Sequence, residues 1–483
     1  MADKLLDTSG FLIAFGLFYA PFAYGCTTPA TIMGLQIIIA AAGVCWLLSR
    51  LIRRRLPRVG KLCMACILII GGIGGWMCLN VNSFYDASTQ QFVATTPGAP
   101  DIPGSVDGTL ARETTLIALS MLVTLCIVAD LCQRPAWRTR ILVLIALAGS
   151  IFVAFGIFLK SGVLDIQLPM NDKEGFPFGT YNYHANAGSL INLVIPAAFG
   201  LMCLGLLQRG GKALGVIGGM MLMTCLVGTF VNVSKAATVI ALCLSAAMAV
   251  WLVRHRPSAD NLPQWMTPRN LIMAASGILV VGVVLVLTIG GSKQLDRWKE
   301  LPGSIDSENP RILMMRVATP MAIEAGMLGN GPGSFKVLMP HSDHLMPEIN
   351  EKWILRYHKP GTKVSMWSQA HQDYLQLIVE WGWFGGGAWI VILVGGFFVV
   401  VWTLFKTSEL QPIADKIVLA ATSVALFGVL WHALFDFPMQ IMSLMFYTMV
   451  YQGIAWGSKG WMFLPESRSM RSGAPEAHSN RVD

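Results

Sequence analysis

RILVLIALAGSIFVAFGIFLK, residues 140–160, carries one charge at each end and none between. As a helix rising 1.5 Å per residue, the uncharged stretch covers roughly 30 Å, the thickness of a bilayer's hydrocarbon core. Runs of roughly 18 to 24 such residues recur along the chain, too long for ordinary buried helices of a soluble domain. Only 13% of the 483 residues are charged and 54% are hydrophobic, where a soluble domain carries about 25% charged residues. The fold class is therefore an all-α polytopic membrane protein. Helices are expected near 9–25, 29–50, 62–80, 113–132, 140–159, 185–207, 213–231, 235–253, 270–290, 385–405, 415–435 and 439–457, about twelve in all. The stretch from Phe11 to Tyr24 reads as the first membrane helix, since it lacks the basic start and cleavage site of a signal peptide.

The connections between these runs sort by charge. Arg50, Arg53, Arg54, Arg55, Arg58 and Lys61 fill the second, and Arg134, Arg138 and Arg140 the fourth. Arg209 and Lys212 mark the sixth, Arg254, Arg256 and Arg269 the eighth, and Lys406 and Lys416 the tenth. Lys and Arg are retained on the cytoplasmic side, so both termini are expected there. The formal charge of +8 is spread over these turns rather than over one face, which argues against a nucleic-acid partner. All ten cysteines lie in or beside apolar runs, so no disulfide framework holds the polar loops. Cys63 and Cys66 form a lone CxxC that reads as apolar filling.

The outward connections include three long ones, 81–112, 160–184 and 291–384. The first reads as an irregular loop rich in Gly, Pro, Thr and Asp. The last, with Trp298, Trp353, Tyr357 and Trp367, reads as folded and largely helical. Within it Asn309-Pro310-Arg311 leads into a helix to Met327, and then a turn from Gly329 and Gly331 to Phe335. Such a turn either lets backbone amides approach a ligand or simply reverses the chain. His371 opens an amphipathic interfacial helix that runs through Leu375 and Ile378 to Glu380 and Gly382. There the helix dipole favours a neutral, proton-accepting imidazole; the bland reading is a cap. His432 and Asp436 stand one turn apart at the outer end of the eleventh span, either lining a site or pairing structurally. His341, Asp343, His344 and His358 have zinc-capable side chains, but solvated or packed roles are the default, and no metal is expected.

In order, Arg311, Gly329, Gly331, Phe335, His371, Leu375, Glu380 and Gly382 resemble the signature of the bacterial O-antigen ligase family. That superfamily also holds O-antigen polymerases and protein O-oligosaccharyltransferases. Phe178-Gly179-Thr180-Tyr181-Asn182, Asn186 and Pro196 resemble the family's loop and sixth span, and Ser234-Lys235 its Ser-Arg at the eighth. Lys235 departs from the usual Arg, keeping the charge but losing the bidentate fork. Ala236 stands in place of Gly, and His184 where a small residue or Pro is common.

The resemblance implies transfer of a glycan from a polyprenyl-diphosphate donor to a hydroxyl of a glycolipid or glycan acceptor. It implies inversion, no metal and no cofactor, on the outer face of a bacterial inner membrane. Arg311 and Lys235 are then the diphosphate-binding cations and His371 with Arg311 the catalytic pair. Arg316, Gly329, Gly331, Glu380, His432 and Asp436 are expected in supporting roles. The chain divides into 1–174 (helices one to five), 175–290 (helices six to nine, opening the ligase-like region), the periplasmic loop 291–384, 385–464 (helices ten to twelve) and a disordered tail 465–483. A polymerase of the same superfamily differs only in its acceptor. A transporter or flippase is the reading from another class, and the scarcity of midplane charges weighs against it.

Overall fold

The computed structural model describes residues 1–86, 88–89, 91–166, 168, 176–208, 211–255, 310–342, 347, 368–406 and 411–463. The expected helix 270–290, the aromatics Trp298, Trp353, Tyr357 and Trp367, and Asp343, His344 and His358 lie outside these residues. Eight helices open the chain: α1 (Ala2–Phe22), α2 (Pro29–Arg53), α3 (Lys61–Leu79), α4 (Gly108–Leu131), α5 (Pro135–Lys160), α6 (His184–Leu207), α7 (Lys212–Val231) and α8 (Lys235–His255). Then follow α9 (Pro310–Glu324), a single turn α10 (Phe335–Leu338), α11 (Asp373–Lys406), α12 (Ile413–His432) and α13 (Met442–Gly457). Among the described residues ten helices are long and apolar enough to cross a membrane. The protein is a multi-pass, all-α membrane protein, and α13 adds a shorter helix of 16 residues.

Helix α6 is the most enclosed span, with 83% of its apolar window inside the protein, whereas α2 has 17% inside and lies at the edge. Small residues let α7 approach α6 closely: a Cβ at Gly205 or Gly218 would strike the facing backbone. Without a hydrophobic force between helices in lipid, such fit is what holds spans together.

The two ends of the bundle differ chemically. At one end, arginines of the basic connections tie helix termini together through acids. Arg50 pairs with Asp130 at 3.0 Å, Arg134 with Asp7 at 2.7 Å, and Arg53 and Arg134 share Asp3. Arg138 binds Asp415 and lies 4.1 Å over the ring of Trp461. Both the start of α1 and the segment after α13 meet this end. At the opposite end lie the start of α6, the end of α12 and the start of α11.

Two segments differ from expectation. The 81–112 connection is not wholly irregular: Ser83–Asp86 and Gln91–Ala94 form an antiparallel hairpin. Its turn is set by Asp86, which accepts from the Ser88 amide and from the hydroxyls of Ser88 and Thr89. Tyr85 and Phe92 pack edge to face across it, and four-residue strands are too short to reveal a period. The interfacial helix and the tenth expected span are joined as α11, which is broken only at Gly382 (φ 68°, ψ −179°).

That break explains the glycine turn. In an unbroken helix the amides of residues 383 and 384 would bond to the carbonyls of 379 and 380. Here Trp383 and Phe384 donate instead to Gly326 and Met327, while the carbonyls of Val379 and Glu380 accept from Asn330 and Gly331. The turn exchanges hydrogen bonds with the broken helix, so these two amides and two carbonyls are each paired. Gly329 needs its φ of +81°, and a Cβ there would run into Gly382 and Glu380. A small second core of Met314, Val317, Met321, Phe335 and Val379 seats α9 on this half of α11.

Candidate active site

Four segments converge at the end of the bundle away from the basic connections. Tyr183 caps α6, Arg311 stands in the first turn of α9, His371 precedes α11 by two residues, and Asp436 follows α12. Asp436 is the hub. One oxygen lies 3.4 Å from His371 Nδ1; the other lies 3.6 Å from an Arg311 nitrogen and 3.8 Å from His432 Nε2. Arg311 also donates to the Tyr183 hydroxyl, and His432 Nδ1 lies 2.7 Å from Ser189 Oγ.

The side chains of Asp436 and His432 are almost wholly buried, at 3% and 1% exposed, while Arg311 keeps 34% and His371 13%. The two buried groups are thus a base on which the two accessible groups stand. Burial alone would raise the Asp436 carboxyl, but His371, Arg311 and His432 outweigh it and hold it at about 2. Burial would lower the Arg311 guanidinium, yet the Asp436 charge and Tyr183 push it above its ordinary value. Both stay ionised at neutral pH.

The local fold fixes this geometry. His371 has φ +53° and lies ahead of the helix rather than in its first turn, so Asp436 rather than the helix dipole is its polar neighbour. Gln372 caps α11 by accepting from the Leu375 amide. Asp373 straps the Asp436 loop at both flanks: its amide donates to the Ala433 carbonyl at 3.0 Å, and its carboxylate accepts from the Met439 amide at 2.9 Å. Phe437 stacks parallel to Tyr183 at 6.0 Å and meets His371 edge-on at 4.8 Å, closing one side of the cluster.

The other expected residues fall elsewhere. Lys235 begins α8 at this same end, where Asn232 of the α7–α8 junction donates to the His184 carbonyl at 2.8 Å. His184 packs its ring on Tyr183 and Phe176. Arg316 is exposed, about 140° around α9 from Arg311. Gly329 and Gly331 belong to the turn that seats α11. Glu380 is buried there, accepting from the Gly333 amide and Gln376, both at 3.0 Å. Among the described residues no group of three His, Cys, Asp or Glu is arranged to hold a metal ion.

Tyr183, Ser189 and Asp373 were not singled out in the sequence. Ser189 left one signal, a hydroxyl between Asn186 and Asn192 in the first turns of a membrane span; Tyr183 and Asp373 are recognisable only once segments distant in sequence are brought together.

No curated protein matches this chain. The sequence model of O-antigen ligase matches residues 220–390, from α7 through the break in α11, and so takes in Lys235, Arg311, the glycine turn, His371 and Glu380. Members of that family are glycosyltransferase-like ligases and polymerases of the membrane. Over those residues, about a third of the chain, the protein is similar to the O-antigen ligase family.

Proposed function

We propose that the protein transfers a glycan from a polyprenyl-diphosphate donor to an acceptor hydroxyl at the outer face of the inner membrane, with inversion. The observation that carries this is the meeting of Arg311 and His371 on one buried carboxylate, each with part of its side chain still open. A diphosphate gains negative charge as the glycosidic bond breaks, so a fixed guanidinium stabilises the transition state more than the ground state. Arg311 serves that role, and Lys235 at the same end of the bundle supplies a second cation. His371 takes the proton of the attacking hydroxyl. With Nδ1 facing Asp436, its proton sits on that nitrogen and Nε2 is left as acceptor. Asp436 stabilises the imidazolium that forms, and His432 and Arg316 support from further out. The basic end of the bundle, with both termini, is on the cytoplasmic side in this reading.

The test is reconstitution of the purified protein with a polyprenyl-diphosphate glycan and a panel of glycolipid and glycan acceptors. Arg311→Ala is expected to lower transfer by about 10²–10³-fold, and Arg311→Lys to restore only part, since the fork is lost. Undiminished transfer by a well-expressed Arg311→Ala protein would remove the role assigned to it.

A further inference from the structure

His371 stands on left-handed backbone, with φ +53°. A residue with a side chain keeps that conformation only where its neighbours impose it. After His371, Gln372 and Asp373 do so through the Leu375 amide and the Ala433 carbonyl. Before it stands Ala370, wholly buried in the small core that seats α9. The Ala370 amide donates to Gln376 Oε1 at 3.0 Å, so a side chain from the first turn of α11 reaches back to the chain ahead of the helix.

Gln376 is itself held. It is buried, and its amide nitrogen donates to Gln369 Oε1 at 2.8 Å and to Glu380 Oε1 at 3.0 Å. A backbone N–H can only donate, so the carboxamide oxygen faces Ala370 and both its hydrogens go to Gln369 and Glu380. Glu380, one helical turn further on and also buried, accepts with its other oxygen from the Gly333 amide. The path Ala370–Gln376–Glu380–Gly333 thus joins the backbone before His371 to the glycine turn that follows the Arg311 helix. Gln376 borders, with Met439 and Gln440, a cavity of about 280 Å³ beside the Asp436 cluster. Its hydrogens are already committed within the protein, so it braces that wall and has none to offer a ligand.

We propose that Gln376 is a positioning residue for His371. It holds the backbone from which the imidazole meets Asp436, and keeps that backbone in register with the glycine turn. Its bearing on rate rests on the transfer reading above; its bearing on the backbone does not. Only a carboxamide of this length can accept from Ala370 and donate to Glu380 at once. Methionine fills the space but leaves the Ala370 amide without an acceptor, and glutamate sets a second carboxylate against Glu380.

Amide hydrogen exchange at Ala370, read by mass spectrometry on the full-length protein in nanodiscs, tests the contact without catalysis; transfer kinetics on the same preparations test the role. Gln376→Met is expected to speed exchange at Ala370 by about tenfold, the worth of one hydrogen bond. It should lower kcat by about 10²-fold with little change in donor KM, as for a base displaced by about 1 Å. Gln376→Glu should do the same. Adding Glu380→Gln to it should restore slow exchange and most of kcat. In that pair the new carboxylate accepts from Ala370, and the new carboxamide donates to it while still accepting from Gly333. A general packing defect would not be cured by such a swap, so the pair also carries the test where Gln376→Met folds poorly. Unchanged exchange at Ala370 in both single variants overturns the contact, and a pair no better than Gln376→Glu overturns the coupling through Glu380. A rise in donor KM at constant kcat makes Gln376 a binding residue and overturns the positioning role. Undiminished transfer by His371→Gln removes the transfer reading instead, and exchange at Ala370 still decides what Gln376 holds.

Discussion

Replacing Asp436 by Asn removes one charge at nearly constant volume, and the surroundings of this carboxylate say what should follow. The carboxylate lies 3.4 Å from His371 Nδ1. At an effective dielectric of about 20, opposite unit charges at that distance attract by roughly 5 kcal/mol. In the proposed mechanism that attraction is available only once His371 has taken a proton, so it belongs to the transition state. Losing it should lower kcat by about 10³-fold, the Asn carbonyl retaining a weak acceptor for Nδ1. Stability should change with a distinct pH signature. A carboxyl lowered from 3.8 to about 2 in the folded protein contributes on the order of 2 kcal/mol. Because the folded value is the lower one, this contribution is complete above pH 4 and is lost as pH falls from 4 towards 2. Asp436→Asn should therefore melt below the wild type at pH 7, with the gap closing through that acid window. Turnover and melting of both proteins in nanodiscs between pH 2 and 7 measure the two effects. A variant with near wild-type turnover at pH 7 would show that Asp436 does not serve His371, whatever its effect on melting.

Three further substitutions separate chemistry from scaffold. His371→Gln should lower kcat by about 10²–10⁴-fold with little change in donor KM, as for loss of a positioned base; a large rise in donor KM would instead make His371 a binding group. Gly329→Ala forces a side chain into left-handed backbone against Gly382, and should cost about 1–3 kcal/mol in strain, seen as a lower melting temperature in detergent. At the other end, Arg138→Met leaves Asp415 buried without its partner and should cost about 3–5 kcal/mol. Its transfer rate per folded molecule should stay at the wild-type level, and a specific rate loss would mean the two ends are coupled.

Much of the fold is legible because the bilayer imposes it. A span must be apolar for some 20 residues and cations must stay inside, so length and the placement of Arg and Lys are enough to order the helices. The same rule exposes His432 and Asp436, polar groups one turn apart at the edge of an apolar run. The hairpin in 81–112 stays hidden because its four-residue strands lie on the outer surface, where no buried face enforces alternation. The continuity of α11 stays hidden for a different reason. Gly382 reads as a helix end, and only hydrogen bonds brought from Gly326 to Gly331, some fifty residues earlier, let the helix resume beyond it.

The same economy explains where the site is built. A carboxylate with two histidines and an arginine would be expensive at the bilayer midplane, so the cluster is assembled where spans end. Helix ends are also the least ordered part of a bundle, and a base must be held closely to be useful. Asp373 meets that need. Two residues from His371, it grips both flanks of the loop that bears Asp436, so His371 and Asp436 are fixed to one another directly rather than through the distant bodies of α11 and α12. Met439, which donates to Asp373, and Gln440 beside it also line the adjoining cavity. A single buried carboxylate therefore sets the register between His371, the Asp436 loop and the wall of that cavity.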